Sequence, residues 1–325
     1  MRFPLVSISL FALVTAAALA AETGADPAAR AKAIAPFLDE TTIAVICVDV
    51  ARMPAEAVAG KLASLVPELG PDVNKVLEPA KTMQTAFAQA GGRELYVVVS
   101  LADLFTDPWF VVVPLADGAN AGALSELMGP ACEARQKTGG ALVGGRKATL
   151  QRLSQLQPDP RPELETAFAA AGDAAIVAVL LPPKYSDRVI EEMMPTLPKE
   201  IGGGPSRTLT QGVRWAALSV EAVPQISARL VVQSQDAQAA QALRDKWIEL
   251  LGLVANNEAV RRELPPLAAA TEILKPDVQQ ERLVIRFDEQ HASGPNVLDA
   301  IRLSIREARN PTGRGTTKEK PTPGN

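Results

Sequence analysis

Histidine is almost missing from this chain: His291 is the only copy in 325 residues. One imidazole cannot build a multi-histidine metal site, and it confines any Ser-His-Asp arrangement to the surroundings of residue 291. The segment FDEQHASG brings Asp288, His291 and Ser293 together in sequence, but a polar turn after a strand accounts for the same three residues. Cysteine is nearly as scarce. Cys47 and Cys132 are the whole complement and no CxxC occurs, which excludes thioredoxin-type exchange and haem attachment through CxxCH. Aromatic residues make up 4%, too few for a base-stacking platform. Neither sign of charge dominates: the formal net charge is −4, and Lys and Arg are dispersed. A chain without a basic stripe lacks the electrostatic footprint for a phosphate backbone, so no nucleic-acid partner is expected.

Apolar residues, by contrast, are plentiful at 47%, enough for a sizeable core. The opening MRFPLVSISLFALVTAAALA joins a basic Arg2, an apolar run over residues 5–14 and the small-residue site Ala18-Leu19-Ala20. This is the pattern of a secretory signal peptide over residues 1–20, and it implies an exported protein, periplasmic or extracellular. The run is shorter than the ~20 residues of a spanning helix, and no later segment reads as a membrane span. In an oxidising compartment Cys47 and Cys132 become a candidate disulfide; two small buried hydrophobes are the other reading.

The rest divides into two stretches with the same order of elements. In residues 21–158, TIAVICVDV is apolar at nearly every position, as in a strand covered on both faces. It is followed by helical stretches, the strands RELYVVVS and PWFVVVP, the helix NAGALSELM, and a ribbon turning at Gly139-Gly140. In residues 159–290, DAAIVAVLL, a helix with Val189, Ile190, Met193 and Met194 on one face, the strands of GVRWAALSVEAVPQISARLVVQ, and a helix over residues 234–251 repeat the plan. Val45 matches Val177 at an offset of 132. ERLVIRFD alternates, with Leu283, Ile285 and Phe287 inward and Arg282, Val284 and Arg286 toward solvent, which predicts an edge strand. The expected fold is α+β: two βαββαβ (ferredoxin-like, split-βαβ) repeats, mainly antiparallel, with helices on one face. Residues 291–325 are expected to add a helix and a disordered tail.

Motifs for chemistry are weak. GGALVGGRK has Gly140 and Gly145 at phosphate-loop spacing, but Arg146 precedes Lys147, and Ala148 stands where a magnesium-binding hydroxyl is needed. No GxSxG or SxxK occurs. The segments PWFVVVPLADGANAGALSELM and GVRWAALSVEAVPQISARLVVQSQDAQAAQAL resemble uncharacterised exported bacterial proteins with repeated α+β units. That resemblance implies export and fold, and carries no activity. No catalytic, cofactor-binding or metal residue is assigned and no cofactor is expected. The function expected is non-enzymatic binding or assembly, with self-association or a protein partner. The alternatives are a carboxylate-based hydrolase drawing on Asp49, Asp103 and Glu221, or a small-molecule binding module, with a cleft between the repeats.

Overall fold

The chain's continuously apolar segment, TIAVICVD, forms strand β1 (Thr42–Asp49) at the centre of one ten-stranded sheet. The computed structural model describes residues 26–65, 67, 70–104, 108–129, 132–159, 161–258, 271, 273–290 and 299. The expected signal peptide, His291 and all but residue 299 of the C-terminal segment lie outside these residues. The other strands are β2 (Glu94–Ser100), β3 (Trp109–Pro114), β4 (Ala134–Thr138), β5 (Ala141–Gly145), β6 (Ile176–Leu180), β7 (Trp215–Glu221), β8 (Ser227–Gln233), β9 (Asp277–Gln279) and β10 (Arg282–Asp288). Their order across the sheet is β4-β5-β3-β2-β1-β6-β7-β8-β10-β9, and every adjacent pair is antiparallel.

Read outward from the central β1–β6 pair, the two halves have one order: first, second, third, fifth, fourth. This differs from the ferredoxin-like expectation. In a split-βαβ unit another strand parts the first two, whereas here β1 pairs directly with β2 and β6 with β7. The first strands are innermost, as their double-sided apolar pattern requires. The edge assignment for ERLVIRFD is corrected: the three-residue β9 lies outside β10, and Leu283, Val284 and Ile285 are all buried. At three residues, Asp277-Val278-Gln279 is too short for its alternation to reveal a strand in the sequence.

Helices cover both faces rather than one. They are α1 (Pro27–Ile34), α2 (Ala55–Leu65), α3 (Gly70–Gln89), α4 (Ala121–Leu127), α5 (Lys147–Ser154), α6 (Glu163–Ala171), α7 (Ser186–Met193), α8 (Arg207–Thr210) and α9 (Ala237–Asn256). The face bearing Val45, Cys47, Tyr96, Phe110, Val177 and Trp215 packs on α1, α5 and α6, through Ile34, Leu150, Leu164 and Phe168. The opposite face packs on α2, α3 and α4 in the first half, and on α8 and α9 in the second. Alternation along a strand sends neighbouring side chains to opposite faces, so a strand apolar at every position needs this two-sided cover. Asp236 caps α9, its Oδ1 accepting from Ala239 N at 2.8 Å. The tight β4–β5 turn uses Gly139 and Gly140 at φ 58° and 77°, a region that other residues rarely enter.

Arg161, just before α6, ties the linker to the central strands. Its Nη1 donates to Thr42 O at 3.2 Å and its Nη2 to Pro182 O at 3.5 Å, while Nε pairs with Glu163 at 2.6 Å. No helix among the described residues is long and apolar enough to cross a membrane.

Candidate functional site

Antiparallel pairing brings the end of β1, the start of β2, the start of β6 and the end of β7 to one edge of the central sheet. Carboxylates at those strand ends therefore meet although they are far apart in sequence. Asp49 lies directly opposite Glu94. Beside them Arg30, on α1, is buried: its Nε donates to Glu94 Oε1 at 2.9 Å and its Nη2 is 3.9 Å from Asp49 Oδ2. Tyr96 donates its hydroxyl to Glu94 Oε2 at 2.8 Å. Arg93 approaches Asp49 Oδ2 from the solvent side at 3.7 Å. Burial, then the adjacent Glu94 charge, raises the Asp49 carboxyl above its ordinary range.

A turn at Val50–Arg52, held by Ala51 N donating to Asp49 Oδ1 at 3.1 Å, aims Arg52 across the junction between the halves. There Arg52 pairs with Asp173 and, at 3.3 Å, with Glu221 Oε2, which also accepts from Ala175 N at 3.1 Å. Burial raises the Glu221 carboxyl. These groups border an open pocket of about 570 Å³, whose walls include Arg52, Ala171 and Asp173 on one side and Ser219, Arg229 and Arg286 on the other.

The three carboxylates nominated for a hydrolase do not converge in that pocket. Asp49 is fully buried, Glu221 lines the pocket, and Asp103 follows β2 at the opposite end of β1. There Arg152 bridges Asp103 Oδ2 at 2.7 Å and Asp39 Oδ2 at 2.6 Å, beside a second pocket of about 630 Å³. Among the described residues no group of three or more His, Cys, Asp or Glu is placed to hold a metal ion.

The disulfide reading gives way to the buried-thiol reading. Cys47 faces Tyr96 in the core under α1 and α6, while Cys132 packs against Gly144 on the other side of the sheet. Both thiols are buried and free. Burial pushes Cys47 up to about 12 and raises Cys132 as well, so neither supplies thiolate at neutral pH. Alkylation with iodoacetamide is therefore expected to leave both cysteines unlabelled in the folded protein and to label both in denaturant. Labelling of Cys47 without unfolding would contradict its placement.

Sequence reading missed the arginines. Arg286 and Arg282 looked like the solvent side of an edge strand, and Arg229 carried no motif. A usable signal was present: in β8 and β10 each arginine stands two residues from a buried valine, Val231 or Val284, and so shares the face of the core. Comparisons with family models, with curated proteins and with solved structures return no match to this chain.

Proposed function

We propose that the protein is an exported, non-catalytic binding protein whose ligand enters the pocket where the two halves join. The observation that carries this reading is the pocket itself, about 570 Å³ with Arg52 contributed by the first half and Glu221 and Arg229 by the second. Concave sites with a few convergent polar groups are where small molecules bind, and a junction between repeated units is a frequent place for them. Asp173, Glu221 and Asp288 line this pocket, but Asp173 and Glu221 are both tied to Arg52, and neither Asp49 nor Asp103 joins them, so the acids the sequence offered for a hydrolase are not assembled here. The shared strand order of the halves favours a duplicated unit, and the leader over residues 1–20 favours export.

Self-association is the second reading, favoured by exposed apolar side chains on the second half: Leu180 at 44%, Leu218 at 39% and Met193 at 83%. Native mass spectrometry of the protein recovered from its producing cells separates the two. The binding reading expects a chain shortened by residues 1–20 and carrying a small-molecule adduct. A bare monomer under gentle desolvation, with no adduct in any preparation, would sink it; a bare dimer would shift the case to assembly.

A further inference from the structure

Cross-strand register places Ser219, Arg229 and Arg286 side by side on one face of β7, β8 and β10. Matching Val45 to Val177, their counterparts in the first half are Val98, Phe110 and Gly145. There Phe110 is 1% exposed and covers Gly145, where an added Cβ would lie 3.1 Å from the phenylalanine Cβ; α5 seals the row. The same sheet position is thus a closed apolar layer in one half and a pair of adjacent arginines opening on a pocket in the other. The fold does not demand the arginines.

Like charges directly opposite on adjacent strands destabilise a sheet. Neither Arg229 nor Arg286 has an ion pair among the described residues, and Arg229 Nε is buried with no hydrogen-bond acceptor. The neighbouring groups leave them uncompensated. Arg282 is a third cation, stacked 5.8 Å from the Trp215 ring centroid with its Nε on Gln233 Oε1 at 2.8 Å. Three acids line the same pocket: Asp173 and Glu221 pair with Arg52, and Asp288, which accepts from Gln290 N at 2.8 Å, makes no ion pair with either arginine. Burial and repulsion from Arg286 and Arg282 lower the Arg229 pKa, the response of a cation that lacks a counter-charge.

We propose that Arg229 and Arg286 form a clamp for the oxyanion group, carboxylate or phosphate, of the small molecule that occupies the junction pocket. Guanidinium forks present paired N–H donors that match the oxygens of either group; Arg229 is half-buried and Arg286 exposed, so the pair is open to a ligand entering from solvent. Ser219 and Ser227 stand in the same pocket for the ligand's neutral polar groups. The clamp rests on the binding reading above and specifies the charge of what is bound.

The test is a thermal-shift and calorimetric titration of the full mature chain with inorganic phosphate and, separately, with succinate, at constant ionic strength against sodium chloride. The wild type is expected to be stabilised by at least one of the two, and the responding anion identifies the ligand's headgroup. Arg229→Gln or Arg286→Gln should each weaken that binding by about tenfold or more. Each variant should also melt no lower than wild type in chloride alone, since a like-charge contact has been removed. Arg188→Gln, an exposed cation elsewhere paired with Glu192, should bind as wild type does. Equal responses of wild type and Arg229→Gln/Arg286→Gln, or no response of wild type to either anion, would overturn the clamp. A native-mass adduct persisting after that outcome would leave the binding reading standing with a neutral or cationic ligand.

Discussion

Arg30→Met is expected to destabilise the folded protein by about 3–5 kcal/mol, because it strips the only buried cation from a site that keeps two carboxylates. Arg30 and Asp49 are almost wholly inaccessible, with side-chain exposures of 2% and 0%. Methionine fills most of the arginine stem's volume, so the loss comes from charge rather than from a cavity. Tyr96 still donates to Glu94, and Arg93, half exposed, still approaches Asp49. Neither replaces the charge between the two acids. The pH dependence gives the diagnosis. Asp49 already has a folded-state pKa above its unfolded value, and removing Arg30 raises it further. For such a group the penalty is full above the folded pKa and is relieved as pH falls toward the unfolded one. The defect of Arg30→Met, read by urea unfolding, should accordingly shrink between neutral pH and the ordinary carboxylate range. A pH-independent loss would assign the effect to packing, and a loss below about 1 kcal/mol would show that the cluster is solvated. Asp49→Asn is the complementary change. It removes an acid that burial already disfavours, so it should cost much less than Arg30→Met.

What the sequence could and could not disclose follows from the range of each interaction. β1 and β6 read correctly as inner strands because two-sided burial writes itself locally, as an unbroken apolar run. Most helices and strands were also visible, since each half spells them by periodicity. Strand order was not legible. Pairing β1 with β2 rather than leaving room for an inserted strand is a choice made by contacts 50 or so residues apart, and both choices use the same local pattern. The helices' faces were misjudged for a related reason: an amphipathic helix declares which side is apolar, not which side of a sheet it will cover. The buried cluster depended on Arg30, Asp49 and Glu94, separated widely along the chain and joined only by antiparallel pairing. The clamp was hidden differently. Arg229 and Arg286 alternate with apolar neighbours as solvent-facing residues do; their spacing from Val231 and Val284 puts them on the core face, and their correspondence in register to Phe110 and Gly145 of the other half marks them as exceptional.

The remaining large effect tests whether the two halves are one cooperative structure. Phe168→Ala should lower the unfolding free energy by about 3–5 kcal/mol, the range for deleting a buried aromatic ring. Phe168 is 1% exposed on α6, in a cluster that includes Ile34 and Phe37 beside α1, Val45 and Cys47 of β1, Val177 of β6, and Trp215 and Ala217 of β7. That cluster takes residues from both halves and continues unbroken beneath the β1–β6 pairing. A cavity there weakens packing on both sides of the central strand pair, and close-packed interiors do not refill such a void without strain. The variant should therefore move a single unfolding transition, with near-ultraviolet and far-ultraviolet signals shifting together to lower denaturant. If the halves were held only by the strand pairing, the loss would fall on the second half alone. The transition would then split in two, with the first half unfolding at its wild-type midpoint. Coincident transitions for Phe168→Ala and Arg30→Met, whose sites lie in opposite halves, would establish that β1 and β6 transmit stability across the whole sheet. That coupling would also keep Arg52 of the first half in place over the second half's arginine clamp.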